Sequence, residues 1–278
     1  MNGANLLVQW LQTLILGLIQ GTSEWLPISS TAHLKLTETF FGLAVTPLFN
    51  LILHLGTVGV LIFFFRKEVK NILSALAHLD FKSENGVLIP RIIVATIPTA
   101  VIGLAYDLFL TNQNSSLYIS GLETIPVIAV TFLIGATIVY STKFAKEDKD
   151  FLSYKMVIVM GIAQGFAIFP GLSRSGVTIS TALLLGLQRK KAFKFSFLLS
   201  IPAVLGDLIV EAYAQRGQLS MGGISLLDVG LGVAAAVVVG YFALKLVSRV
   251  VQGRKFHYFA FYTWALGIVL LLVTIFVH

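Results

Sequence analysis

The chain has 278 residues, of which 56% are hydrophobic and 12% charged, against about 25% charged residues in an ordinary soluble domain. A mean hydropathy of +0.88 and repeated apolar runs of spanning length exclude a soluble globular protein and indicate a membrane bilayer as its medium. The net charge of +7 does not predict a nucleic-acid partner, because the basic residues lie in short loops where they set topology.

Six apolar runs predict transmembrane helices. Glycine, small residues and occasional proline inside them are typical of bilayer helices, and no segment has the alternation of a membrane β-barrel. The fold class is therefore predicted to be all-α integral membrane. The six spans lie at residues 48–65, 91–109, 120–140, 195–213, 226–247 and 258–277.

Two further regions, residues 6–41 and 155–187, have a different plan. Each is an apolar run, then a polar break with a proline, then a shorter run. Each could be two full crossings or a re-entrant pair of short helices. Broken backbone at membrane depth is tolerated only where it is buried in protein or lines a wet cavity, so the polar breaks favour re-entrant pairs.

The basic residues give an orientation. Four loops hold 17 of the 20 lysines and arginines, and placing these loops in the cytoplasm satisfies the positive-inside rule. Loops 42–47, 110–119 and 214–224 and both termini are then outside. Each half contains an odd number of crossings, so residues 1–145 and 146–278 of the single membrane domain are predicted to be inverted repeats, with the two polar breaks facing each other near the midplane.

The first break, residues 20–33, contains the only charged residue between Met1 and His33, which is Glu24. Its functional readings are general acid or base and ligand of a divalent metal. The alternative is an ion pair with Arg174. Gln20 is one helical turn away and could help to orient a water or a metal.

Hydroxyls and an imidazole follow Pro27. Ser29 and Ser30 could each be a nucleophile or a helix cap. His33 lies one turn after Ser30, which places an imidazole near a hydroxyl, as nucleophilic or acid–base chemistry requires.

The second break, residues 164–178, also opens with Gln-Gly. Arg174 stands between Ser173 and Ser175 just before an apolar run. A permanently charged guanidinium, hydroxyls and a helix N-terminus together predict a phosphate site. The alternative is a purely structural ion pair. Gln164, at the position related to Gln20, and Thr178 are supporting candidates.

On these two motifs the chain resembles the undecaprenyl-diphosphate phosphatases of the bacitracin-resistance type. The motifs are QGTSEWLPISSTAH at 20–33 and PGLSRSG at 170–176. Family members often carry Glu where this chain has Gln20. By carry-over, Glu24 is the acid/base or metal residue, His33 its catalytic partner and Ser30 the nucleophile or phosphate contact. Ser173 and Arg174 bind the diphosphate.

The resemblance implies an enzyme that hydrolyses a C55-type polyprenyl diphosphate to the monophosphate and recycles the lipid carrier of peptidoglycan synthesis. It also implies a plasma-membrane location, a site open to the outer face and a divalent cation, Mg²⁺ or Ca²⁺, with Glu24 and Gln20 as the metal ligands considered. A homodimer is a further expectation. The alternative is a transporter or lipid flippase, because inverted repeats with midplane sites are also a transporter plan.

Overall fold

A computed structural model describes residues 3–42, 46–111, 115–217 and 224–277. Both termini and parts of the three predicted outer loops lie outside these ranges. The described chain is helical and contains no β-strand. Its α-helices are α1 (Gly3–Trp25), α2 (Ser30–Phe41), α3 (Pro47–Phe64), α4 (Arg66–Ala77), α5 (Leu88–Ala105), α6 (Ile125–Ser141), α7 (Tyr154–Phe166), α8 (Arg174–Leu184), α9 (Arg189–Ala214), α10 (Leu226–Gln252) and α11 (Phe259–Val277).

Within the described ranges, six helices are long and apolar enough to cross a membrane, which confirms the six predicted spans. They are α3, α5, α6, α9, α10 and α11, and α5 is extended by a π-helical turn at Tyr106–Thr111. Two N-termini differ from the prediction by five or six residues, and the C-terminus of α10 by five. Helix α6 begins at Ile125 because Pro126 stands in its first turn, and α9 begins at Arg189, so its basic first turn is helical as well.

Helix α4 is an element that the sequence analysis assigned to a loop. It is a short amphipathic helix directly after α3, with basic residues in its first turns and exposed leucines at Leu73 and Leu76. The helix is too short, and contains too many charged residues, to be predicted as a transmembrane span. Hydropathy alone therefore does not detect it.

The helix–break–helix plan predicted for two regions is present in both. Helices α1 and α2 are separated by a break at Pro27, and α7 and α8 by a break at Pro170. Proline removes a backbone donor and clashes with the preceding turn, so neither helix can run through. Each break contains one residue with a positive φ, Ser29 (68°) in the first and Gly171 (99°) in the second.

The helices of the broken pairs pack closely against spans of the opposite half. Helix α1 packs on α10, and α7 packs on α5. Both α1 and α7 carry the pattern Gly-x-x-Gln-Gly, and a Cβ at its first glycine would collide with partner backbone: Gly17 with Gly232, and Gly161 with Ala95. Small residues that let backbones approach are the usual interface of bilayer helices. Close packing therefore fixes the depth at which each glutamine sits.

Candidate active site

The two breaks are in direct contact. The Ser29 Oγ accepts a hydrogen bond from the Gly171 N–H at 3.2 Å. From the other side, the Ser175 hydroxyl donates to the Trp25 carbonyl at 3.0 Å. The Ser173 hydroxyl lies 3.4 Å from the Leu26 carbonyl oxygen. Backbone groups released by each break are thus satisfied by hydroxyls of the other, as buried backbone requires. The two polar clusters therefore contact each other, as predicted.

Glu24 lies at the centre of the contact, with its side chain 4% exposed. Its Oε2 accepts hydrogen bonds from the Ser30 hydroxyl at 2.7 Å and from the Gln20 amide at 3.2 Å. Its Oε1 is 3.8 Å from Arg174 Nη2. A buried carboxylate is tolerable only with such partners. The structure therefore brings together Gln20, Glu24, Ser30 and Arg174.

Arg174 is the first residue of α8. The Ser173 Oγ caps that helix by accepting from the Gly176 N–H at 3.2 Å. Thr178 donates to the Arg174 carbonyl at 2.8 Å, within the helix. The Nη1 of Arg174 is buried and has no hydrogen-bond partner among the described residues. A guanidinium nitrogen with free donors beside a helix N-terminus is suited to a phosphate.

His54 also reaches Glu24, although the sequence analysis did not select it. Its Nε2 is 3.8 Å from Glu24 Oε2. Its Nδ1 donates to the Asn50 carbonyl at 3.0 Å. Because a carbonyl only accepts, this bond fixes the proton of the neutral ring on Nδ1 and leaves Nε2 facing the carboxylate. The available signal was a single imidazole inside an otherwise apolar span, which by itself is weak.

His33 is positioned differently from the prediction. Its Nδ1 contacts the Ser29 carbonyl and its Nε2 the Tyr262 hydroxyl, each at 2.8 Å. The ring lies parallel to that of Tyr262 and edge-on to Phe132. The imidazole is therefore near the hydroxyl of α11 instead of that of Ser30. The reason is local: the carbonyl of Ser29, one turn earlier, holds Nδ1 and turns the ring toward α6 and α11.

Two cavities adjoin the site. A polar vestibule of about 280 Å³ extends from His54 and Pro170 toward Lys35 and Glu211. A second, mostly apolar groove of about 300 Å³ runs between α5, α7 and α9 and reaches Arg174. Thr31 lines both. A charged head and an apolar tail of one ligand would thus find different surroundings on either side of Arg174.

Gln164 lines the groove. Its amide nitrogen is 3.3 Å from the Thr99 hydroxyl. Its amide oxygen is buried without a described partner. Asp207 lines the same groove.

The residues present could hold a divalent cation only together with the phosphate oxygens of a bound substrate. No group of three His, Cys, Asp or Glu side chains that could hold a metal exists in the described part of the chain. However, the amide oxygen of Gln20 is buried without a described partner beside Glu24. Mg²⁺ is commonly held by one or two protein oxygens, with substrate phosphates and water completing the shell. Glu24 and Gln20 meet that requirement.

Comparison with known proteins gives consistent results. Residues 13–269 match the family model described as bacitracin resistance protein BacA. A protein of Carboxydothermus hydrogenoformans is 39% identical over 268 residues, covering 94% of this chain and 96% of the relative. A protein of Korarchaeum cryptofilum is 37% identical, covering 94% and 97%. One from Corynebacterium glutamicum is 35% identical, covering 96% and 91%. All three relatives are named undecaprenyl-diphosphatase.

Proposed function

The chain belongs to the bacitracin resistance protein BacA family, and we propose that it is an undecaprenyl-diphosphatase. It hydrolyses the lipid diphosphate to the monophosphate and inorganic phosphate, and so returns the lipid carrier to cell-wall synthesis. The observation that carries the proposal is the single buried site in which Glu24, Ser30 and Arg174 meet, built from both breaks.

The phosphate head and the polyprenyl tail of the substrate bind in different places. Its terminal phosphate lies against Arg174, where Nη1 offers donors that no described protein group takes. The N-terminus of α8, capped by Ser173, faces the same place and adds a positive partial charge. The polyprenyl tail lies in the mostly apolar groove between α5, α7 and α9. Binding of the phosphate replaces the loose contact between Arg174 and Glu24.

Ser30 is the nucleophile that the geometry favours. Its hydroxyl already donates to Glu24 at 2.7 Å, the arrangement of a nucleophile with its general base. Glu24 takes the proton as the Ser30 oxygen bonds to the terminal phosphorus. The bond from that phosphorus to the bridging oxygen breaks, and the electron pair leaves with the polyprenyl monophosphate. Glu24 then gives that proton to the leaving monophosphate, which restores the carboxylate. The carboxylate takes a proton from a water as the water oxygen bonds to phosphorus, the bond from phosphorus to the Ser30 oxygen breaks, and Glu24 returns the proton to that oxygen as inorganic phosphate leaves.

A divalent cation, Mg²⁺ or Ca²⁺, would be held by Glu24 and Gln20 together with phosphate oxygens, and when bound it would neutralise charge on the diphosphate. His54 faces Glu24 and lines the vestibule, and its ring attracts the carboxylate when Nε2 also carries a proton. His33, held by Ser29 and Tyr262, supports the break without contact to Glu24 in this state.

The protein is a multi-pass membrane protein, and we place it in the plasma membrane as an inverted repeat with two re-entrant pairs. Two observations support this. Helices α2, α7 and α8 have 12, 13 and 11 residues, too few for a bilayer core that requires about 20. The fourth helix of the two pairs, α1, is longer, with 23 residues. In addition, each broken pair packs against the other half of the chain: α1 packs on α10, and α7 packs on α5. With the basic loops inside, the vestibule opens to the outer face and both termini are outside.

The test is phosphate release from undecaprenyl diphosphate by purified, reconstituted protein with Mg²⁺ present. Wild type is compared with Glu24→Gln and Arg174→Ala, and with the exposed controls Glu84→Gln and Arg216→Ala. We expect release by wild type and both controls, and a loss of about 10²–10³-fold in the two site variants. No release by wild type would overturn the enzyme and favour a transporter, and full activity of Arg174→Ala would overturn the phosphate site.

A further inference from the structure

A second groove lies between α3 and α10, outside the site described above. It is lined by Leu55, Gly56, Gly59, Val60, Phe63, Val237, Val238, Tyr241 and Phe242 and has a volume of about 580 Å³. That volume is within the range of small-molecule sites, roughly 300–1,000 Å³. Apart from the Tyr241 hydroxyl, every side chain that lines it is apolar. The groove thus suits an aliphatic chain.

Two glycines keep the groove open. A Cβ at Gly59 would meet nothing within 4 Å, and one at Gly56 would meet only side chains of α10, the nearest being Val233 at 3.1 Å. This differs from Gly17, where a Cβ would collide with Gly232 backbone. Glycine at Gly17 lets two helices touch. At Gly59 no neighbour requires it, and its effect is to leave space.

The groove has the same residue spacing as the one assigned to the substrate tail. On α3 its lining residues follow the steps i, i+1, i+4, i+5 and i+8 from Leu55. On α9 the substrate groove follows the same steps from Pro202. On the partner helices, the steps i, i+1, i+4 and i+5 recur from Val237 on α10 and from Thr99 on α5. This is the spacing of one helix face. Because α3 follows the first broken pair and α9 follows the second, the two grooves are counterparts under the proposed inverted repeat.

Cationic groups stand at one end of the groove. The Arg66 guanidinium lies over the Phe63 ring at 4.8 Å and donates to the Phe63 carbonyl at 3.1 Å. Phe63 in turn packs on Tyr241, with ring centroids 6.2 Å apart, and Lys245 follows one turn later on α10. Neither Arg66 nor Lys245 forms a salt bridge with a described carboxylate. This end belongs to the basic loops and hence to the cytoplasmic side.

We propose that the groove between α3 and α10 binds an anionic phospholipid of the cytoplasmic leaflet, with its acyl chain along Gly56 and Gly59 and its phosphate at Arg66 and Lys245. The apolar groove supplies tail contact, and the two cations supply charge complementarity for the head. The counterpart groove reaches a half-buried cation, Arg174, whereas this one is lined by no charged side chain. Its ligand therefore keeps its head at the membrane surface.

The experiment measures lipid retained by the purified full-length protein, by native mass spectrometry, with phosphatidylglycerol, phosphatidylcholine or undecaprenyl monophosphate added. The test variant is Arg66→Gln/Lys245→Gln. The matched control is Lys70→Gln/Lys82→Gln, which removes the same charge outside the groove. Gly59→Leu fills the groove and leaves the charges. Folding of each variant is checked by circular dichroism melting.

We expect wild type and the control to retain phosphatidylglycerol at least about tenfold more tightly than phosphatidylcholine, which corresponds to about 1.4 kcal/mol. The test variant should lose that preference, and folded Gly59→Leu should lose retention altogether. Equal retention by test and control variants would overturn the proposal. Preferential retention of undecaprenyl monophosphate would overturn it as well and assign the groove to the lipid carrier.

Discussion

The two helix breaks share a plan and differ in chemistry. Both follow Gly-x-x-Gln-Gly, both turn at a proline, and each satisfies backbone groups of the other. The first holds a carboxylate, Glu24, that accepts a hydrogen bond from the Ser30 hydroxyl. The second holds Arg174, whose Nη1 is without a described partner. Under the proposed function, the first break supplies the proton chemistry and the second supplies the anion binding, so each residue type is needed in one half only.

The serines should separate the two roles most strongly. Ser30→Ala removes the hydroxyl that Glu24 deprotonates, and we expect kcat to fall by at least about 10³-fold. Ser175→Ala removes a bond to the Trp25 carbonyl, and we expect a fall of about tenfold because that contact supports geometry only. Phosphate release under saturating substrate measures both. Similar losses in the two variants would contradict the division of roles.

The turns should differ in their tolerance of a side chain. Gly171 has a φ of 99°, and a Cβ there would collide with the Thr131 hydroxyl. We expect Gly171→Ala to destabilise the protein by about 1–3 kcal/mol, a fall in Tm on the order of 2–10 °C.

Ser29→Gly is the comparison at the first turn. It relieves a left-handed serine but loses the bond from the Gly171 N–H, two effects of about 1 kcal/mol that oppose each other. We expect a near-neutral Tm in detergent. A Gly171→Ala variant as stable as Ser29→Gly would show that the second turn is not constrained as the geometry requires.

The glutamines should differ in their effect on the cation. Gln20→Glu places a second carboxylate 3–4 Å from Glu24, where a divalent cation is favoured by the added charge. We expect the Mg²⁺ concentration for half-maximal activity to fall by about tenfold. Gln164→Glu is the matched change in the second half, beside Thr99. It should leave the Mg²⁺ concentration for half-maximal activity unchanged. Equal shifts in both variants would contradict a cation site at Gln20 and Glu24.

Much of this arrangement could be predicted from sequence because charge inside an apolar chain is informative. Glu24 and Arg174 stand alone in long uncharged stretches, and their meeting follows from the count of crossings. The six spans could likewise be predicted from hydropathy. The contact of His54 with Glu24 was not predicted because one imidazole in an apolar helix has no local pattern. The direction of the His33 ring depends on Tyr262, 229 positions later in the chain, which no local spacing can supply.

The central claim is that both breaks form one site, and a double-mutant cycle of Glu24→Gln and Arg174→Gln tests it most directly. Each single variant should lower kcat/KM by about 10²–10³-fold. The effects of residues that act as a unit are strongly non-additive. The kcat/KM of the double variant should therefore lie within about tenfold of that of the less active single variant. A loss in the double variant equal to the product of the two single losses would mean that the breaks act independently and would contradict the account.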